Sequence, residues 1–120
     1  MLKIWTSAIN FLPYLMINKT EKEVTVIIPS KTYDVNLKHC IKKIRLFYKK
    51  IKIILVLDEK KVFIKDKNIK IISSGSKTIG YKRNIGVNLS KTPFVAFIDS
   101  DAYPNSRWLD FIIDTFKKDK

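Results

Sequence analysis

The chain holds one cysteine, Cys40, and one histidine, His39. A disulfide framework or a cysteine-built zinc site needs more, so both are excluded. The lone thiol agrees with a reducing compartment. Cys40 falls on an apolar helical stripe and reads as a small core residue. His39 sits beside it on the solvent side, a poor place for a catalytic histidine. With 3 glycines and 4 prolines in 120 residues, there is no collagenous or proline-rich linker. No internal repeat is present. No apolar run reaches the ~20 residues that a membrane-crossing helix needs. Acidic residues are few: 11 Asp and Glu stand against 24 Lys and Arg, a formal net charge of +13.

What remains is a globular balance. The 120 residues suffice for one hydrophobic core, and 46% of them are hydrophobic. The positive field favours polyanions: nucleic acid, anionic lipid or phosphorylated small molecules. A plainer reading stands level with it, a solvated surface that follows from a lysine-rich composition. Residues 1–20 form a separate apolar segment, broken by Asn10 and Pro13. Its Trp5, Phe11 and Tyr14 suit a helix in a membrane interface. A helix packed on the domain fits equally well. No small-residue cleavage site follows, which speaks against a signal peptide.

From residue 21 to 120 the pattern is regular. Val24 to Ile28 is a nearly all-apolar run ended by Pro29. Such runs suit strands buried on both faces of a parallel sheet. Asp34 or Asn36 is placed to cap a helix. Leu37, Cys40, Ile41, Ile44 and Phe47 recur at helical spacing and give that helix one apolar face. Ile51 to Leu57 is a second strand, ending at Asp58 and Glu59. Ile69 to Ile72 is a third, ending in the loop Ser73 to Lys77. The spacing predicts a short helix over 81–89 and a fourth strand over 94–98. That strand runs into Asp99-Ser100-Asp101. Asn105 or Ser106 is placed to cap a last helix with Trp108, Leu109, Ile112 and Phe116 on its apolar face.

Strand and helix alternate. That order implies an α/β fold, a Rossmann-like, mostly parallel sheet with helices on both faces. Ligands of such sheets bind beyond the carboxyl ends of the strands. Polar residues gather there: Pro29, Ser30 and Lys31 after the first strand, Asp58 and Glu59 after the second, Asp99, Ser100 and Asp101 after the fourth.

Two carboxylates one residue apart at the end of a buried strand are costly unless a cation meets them. A divalent metal carrying a diphosphate is such a cation, because Mg²⁺ and Mn²⁺ favour one or two carboxylates plus phosphate oxygens. Asp, Ser and Asp are also good turn residues, so a plain turn is the competing reading. Lys82 and Arg83 open a predicted helix, where cations repel the dipole unless an anion lies near. Their competing reading is a solvated pair.

Read together, these stretches resemble family-2 glycosyltransferases of the GT-A type. The matches run in order from Val24 to Leu109. They are Val-Thr-Val-Ile-Ile-Pro29, the helix from Leu37 to Ile44, Ile-Leu-Val-Leu-Asp58-Glu59, and Ile-Ile-Ser-Ser-Gly75. Then come Gly80-Tyr-Lys-Arg83-Asn84-Ile-Gly86, Phe-Val-Ala-Phe-Ile-Asp99-Ser-Asp101-Ala-Tyr-Pro104, and Trp108-Leu109.

The resemblance implies a GT-A nucleotide-binding half. It implies transfer of a sugar from a nucleoside diphosphate sugar to an acceptor hydroxyl, with inversion, and a divalent Mn²⁺ or Mg²⁺ cofactor. Pro29, Ser30 and Lys31 match the first nucleotide-binding loop. Asp58 matches the acid that contacts the nucleobase. Asp99 matches the first acid of the D-x-D motif, near ribose and metal. Asp101 matches the metal ligand that bridges to the diphosphate, with Ser100 between them. Lys82 and Arg83 match a basic pair, common in a branch of the family, at the start of the helix before the D-x-D strand, and a diphosphate would be the anion that their place at the helix start calls for. Gly80 and Gly86 read as a tight turn and a close helix–strand contact.

Two departures stand out. Many members carry an aromatic residue where this chain has Lys31. Tyr33 is the candidate to stack on a base in its place, or Lys31 meets a phosphate. The second departure is length: the acceptor half, with its general base, is expected to be absent. Glu59, Asp110 and Asp114 match no such base. A fragment, a split gene product and a chain completed by a partner all fit, and an uncovered sheet edge favours association.

The implied acceptor is a glycan or a lipid-linked molecule. The implied place is the cytoplasm, with the inner face of an anionic membrane as a candidate surface. Three rivals remain. A sugar-phosphate nucleotidyltransferase would carry a Gly-rich, Arg-containing loop after the first strand, and Pro29 to Tyr33 has neither residue. A nucleic-acid module would need aromatic platforms on its basic face, and paired carboxylates would repel the backbone. No nucleic-acid partner is expected. An inactive remnant of such an enzyme would keep the same residues.

Overall fold

Six consecutive buried residues, Val24–Pro29, form the first strand, β1. A computed structural model describes residues 19–118, so segment 1–18 and its membrane-interface reading lie outside the described part. After β1 come α1 (Val35–Phe47), β2 (Lys52–Leu57), β3 (Ile69–Ser73), α2 (Ile79–Leu89), β4 (Phe94–Phe97) and α3 (Trp108–Lys118). The four strands make one parallel sheet in the order β3-β2-β1-β4. β1 and β2 are its interior strands, which explains their near-continuous apolar sequence.

Register fixes what faces what. Val26 pairs with Ile53 and Ile53 with Ile69, so these side chains share a face. On that face Val24, Val26, Ile28, Ile53, Leu55 and Leu57 form one core with Leu37, Cys40 and Ile44 of α1 and Leu109 and Ile113 of α3. The Asp34 carboxylate caps α1 by accepting from Leu37 N at 2.9 Å. Of the two cap candidates, Asp34 is the one used. Among the described residues, no helix is long and apolar enough to cross a membrane.

The expected alternation of strand and helix fails at one crossover. Between β2 and β3 the chain forms neither helix nor strand, with Val62 and Ile64 packed on the core and Phe63 89% exposed. The reason is reach. Residues 58–68 must return along the sheet, and an extended residue covers ~3.3 Å where a helical one covers ~1.5 Å.

α2 covers the other face. A Cβ at Gly86 would come within 2.5 Å of Ile27 Cγ2, and Ile27 is fully buried. The close helix–strand contact is therefore real. The turn assigned to Gly80 is not: Gly80 lies inside α2 with no atom of the described residues within 4 Å of its would-be Cβ, and the turn belongs to Gly75 at φ +73°. Gly86→Ala is expected to destabilise by about 1–3 kcal/mol through overpacking. Gly80→Ala should be neutral or stabilising by about 0.5–1 kcal/mol. Urea titrations of the two variants check this, and equal midpoints would contradict it.

The last helix is capped from a distance. Neither Asn105 nor Ser106 caps α3. Instead the Tyr48 hydroxyl, just past α1, accepts from Leu109 N at 3.1 Å and Asp110 N at 3.3 Å. Tyr48 is fully buried. Arg107 stacks on its ring at 4.4 Å and donates to the Phe47 carbonyl. Trp108 meets the same ring edge-on at 5.4 Å. One phenol thus orients α3, whose backbone leaves the loop that carries Asp99 and Asp101.

Candidate functional site

The carboxyl ends of β1, β2 and β4 bring together most of the residues singled out above. Pro29 ends β1, paired with Val56. Ser30 N then donates to Val56 O at 3.0 Å, and Asp58 N donates to Lys31 O at 3.1 Å. The loop after β1 is thereby fastened to the end of β2. From the other side Gly75 N and the Ser73 hydroxyl both donate to the Asp58 carbonyl at 2.9 Å. Three loops converge on Asp58.

Beside Asp58 lies an open cleft of about 390 Å³, lined by Lys31, Tyr33, Leu57, Glu59 and Val62 among others. Tyr33 lines this cleft, with Lys38 Nζ 5.4 Å from its ring centroid. Lys31 is exposed at its rim. The arrangement offers an aromatic face, a cation and a carboxylate within one recess.

Lys82 and Arg83 look alike in the sequence and part company in the fold. The Lys82 side chain is only 4% exposed, and its ammonium donates to Asp58 Oδ1 at 2.5 Å and to the Ser30 carbonyl at 2.7 Å. The Arg83 side chain is 40% exposed, stacks on Phe97 at 5.5 Å and reaches Asp99 Oδ1 at 3.4 Å. Its buried Nε has no partner among the described residues. A signal for this difference lay in the sequence. Lys82 precedes Gly86 by four residues, so both lie on the stripe that meets the sheet.

Asp99, Ser100 and Asp101 do form a turn, closed by Ala102 N donating to Asp99 O at 3.0 Å. The turn and the acidic motif coincide. Both carboxylates are exposed. The loop is held from beneath by α1: the Tyr103 hydroxyl donates to Asn36 Oδ1 at 2.8 Å, and the Cys40 thiol points to the Asp99 carbonyl at 3.8 Å. A second cleft of about 420 Å³ opens next to Asp99, lined by Phe97, Ala102, Tyr103, Asn105 and Trp108 among others.

Two exposed carboxylates with open coordination fit a hard divalent cation that also takes phosphate oxygens. Among the described residues no three His, Cys, Asp or Glu side chains group together, so the protein alone does not make a full ligand set. Cys40 does not join it. Burial first, and Asp101 second, push the thiol up to about 11, so it stays protonated at neutral pH.

The other acids are engaged elsewhere. Glu59 pairs with Lys61 at 2.6 Å, Asp110 with Arg107 at 2.5 Å and Asp114 with Lys118 at 3.0 Å. His39 lies on the exposed side of α1, its ring 6.3 Å from that of Tyr103. Sequence reasoning missed Tyr48 and the burial of Lys82.

Comparison with known proteins bears on the fold that positions these residues. A crystal structure of S. aureus TarS, residues 1–349, superposes with a TM-score of 0.67 at 18% identity. The match covers 80% of this chain and 32% of that one, so this chain spans about a third of that structure. No curated protein matches the chain. The sequence profile described as Glycosyl transferase family 2 matches residues 25–120. The four-stranded parallel sheet is thus a GT-A fold, and the chain belongs to glycosyl transferase family 2.

Proposed function

We propose that residues 21–120 are the donor-binding part of a glycosyltransferase that uses a nucleoside diphosphate sugar. One observation carries this reading. Consecutive residues of α2, Lys82 and Arg83, contact the two acidic sites, Asp58 after β2 and Asp99 after β4. The aromatic cleft at Asp58 suits a nucleobase. Asp99 and Asp101, one loop away, suit a cation carrying a diphosphate.

Base and ribose lie along the loop of Pro29, Ser30 and Lys31, with Tyr33 as the stacking face. Arg83 is free to turn from Asp99 to a phosphate, because its ion pair is long and exposed and is worth little. Its planar fork suits phosphate oxygens. When bound, Mn²⁺ or Mg²⁺ would draw off the charge that develops on the leaving diphosphate. Asp99 and Asp101 would hold it. Displacement by an acceptor hydroxyl then inverts the anomeric carbon, and the base for that hydroxyl must lie opposite the leaving group. None of the ion-paired acids described above takes that role. The acceptor is a glycan or lipid-linked alcohol, and the +13 charge favours work at an anionic membrane surface.

Thermal unfolding with UDP, GDP, dTDP and CDP, each with and without Mn²⁺, tests the reading. At 100 times its dissociation constant the right nucleotide should add about 2.7 kcal/mol. The shift should need metal and vanish in Asp101→Ala. A chain that unfolds cooperatively and responds to none of the four would overturn the reading that this part holds a donor by itself.

A further inference from the structure

Lys82 is an unusual cation for a diphosphate site, because almost none of it is accessible. Its side chain is 4% exposed, against 40% for its neighbour Arg83. Two of its three N–H donors are spent, on Asp58 Oδ1 and on the Ser30 carbonyl. Both acceptors belong to the base cleft and its loop, not to the D-x-D turn. A lysine ammonium would have to leave both to meet a phosphate, and Asp58, whose side chain is only 18% exposed, would lose its counter-ion.

On the basis of the donor-binding reading, we propose that Lys82 is a positioning residue for base recognition and not a phosphate ligand. It binds one oxygen of Asp58 and leaves the other to face the cleft. It also ties the first turn of α2 to the loop after β1, so the acid and the stacking loop keep one relative geometry. A carboxylate turned by even one rotamer would present no acceptor to the edge of a base. Arg83, in contrast, has a side chain that is 40% exposed and a buried Nε with no partner among the described residues, so it is the member of the pair with capacity for an anion.

The two roles predict different ligand dependence. Whichever of UDP, GDP, dTDP and CDP binds the wild type is titrated beside its own nucleoside, which has no phosphate. The proteins are the wild-type chain, Lys82→Met, Asp58→Asn and the double variant. If Lys82 positions Asp58, Lys82→Met weakens nucleoside and diphosphate by the same factor, about 10–100-fold, the range typical of groups that orient a ligand-binding side chain. In the Asp58→Asn background it then has no further effect, since the residue it acts through is gone.

A loss confined to the diphosphate would overturn the proposal and make Lys82 a phosphate ligand. A loss in the double variant that adds to that of Asp58→Asn would overturn it too. A merely structural role would lower the unfolding temperature and leave the affinity of the folded protein unchanged, a third contradicting result. Should Lys82→Met fail to fold, the double variant, which removes both buried charges, still gives the comparison with Asp58→Asn. A wild-type chain that binds neither nucleoside nor diphosphate would sink the donor-binding reading itself, and Lys82 with it.

Discussion

Asp58→Ala is expected to cost about 3–5 kcal/mol of folding free energy, far more than deletion of the exposed acids Glu59 or Asp114. The ammonium of Lys82 is buried, and Asp58 is its one carboxylate partner within 4 Å among the described residues. Removing the acid leaves a cation with a single carbonyl in a place that water barely reaches. The exposed pairs set the scale. Lys61 with Glu59 and Lys118 with Asp114 are more than half exposed on average, and such pairs contribute about 0–1 kcal/mol. Replacing both partners, as in Asp58→Ala with Lys82→Met, should recover most of the loss, because the desolvation of both charges is then avoided. Urea unfolding of the two single variants and the double variant measures all three. A drop below about 1 kcal/mol for Asp58→Ala would show that the pair is not desolvated, contrary to its burial.

Tyr48→Ala should be of similar size, about 3–5 kcal/mol, as expected for deleting a buried ring. Tyr48→Phe separates two contributions. It keeps the ring under Arg107 and Trp108 but strips the acceptor from Leu109 N and Asp110 N. Unpaired helix-end donors should cost about 1–3 kcal/mol.

The same phenol gives a pH signature. Burial, followed by the charge of Asp110, raises Tyr48 from its ordinary value of 10.0 to about 12. The unfolded chain therefore releases this proton first. The stabilising effect is fully present below pH 10 and is lost as pH rises through about 12. Lysines also titrate in this window, so the comparison with Tyr48→Phe isolates the phenol. Equal alkaline slopes for the two proteins would contradict the assignment.

These two residues also mark where sequence reading succeeds and where it stops. The strands were legible because β1 and β2 are apolar through their whole length, a pattern that parallel sheets impose. The acids at the strand ends were legible because sharp polar breaks follow apolar runs at Asp58 and Asp99. The stripe of α1 was legible because Leu37, Cys40, Ile41 and Ile44 repeat with the helix. Each of those signals is local.

Tyr48 acts sixty residues away along the chain, on the backbone of Leu109 and Asp110, with separations of 61 and 62. No local pattern around Asn105 or Ser106 could reveal a cap supplied by another element. The burial of Lys82 is hidden for a related reason. Charge suggested the surface, but the stripe shared with Gly86 overrode it, and the partner that makes burial tolerable lies on β2. The link between β2 and β3 escaped because its inward residues, Val62 and Ile64, alternate like a strand that joins no sheet.

Strand order has a consequence for how the molecule assembles. β1 finds β2 after a single helix, but its second neighbour, β4, arrives only after β3 and α2 have been laid down. Pairings of long sequence separation form late, because the chain between them must be ordered before they repay it. One side of β1 thus stays open through most of folding, and it is the side of a strand with no exposed residue at all. During that interval the chain depends on speed or on a chaperone to avoid sticking to its neighbours.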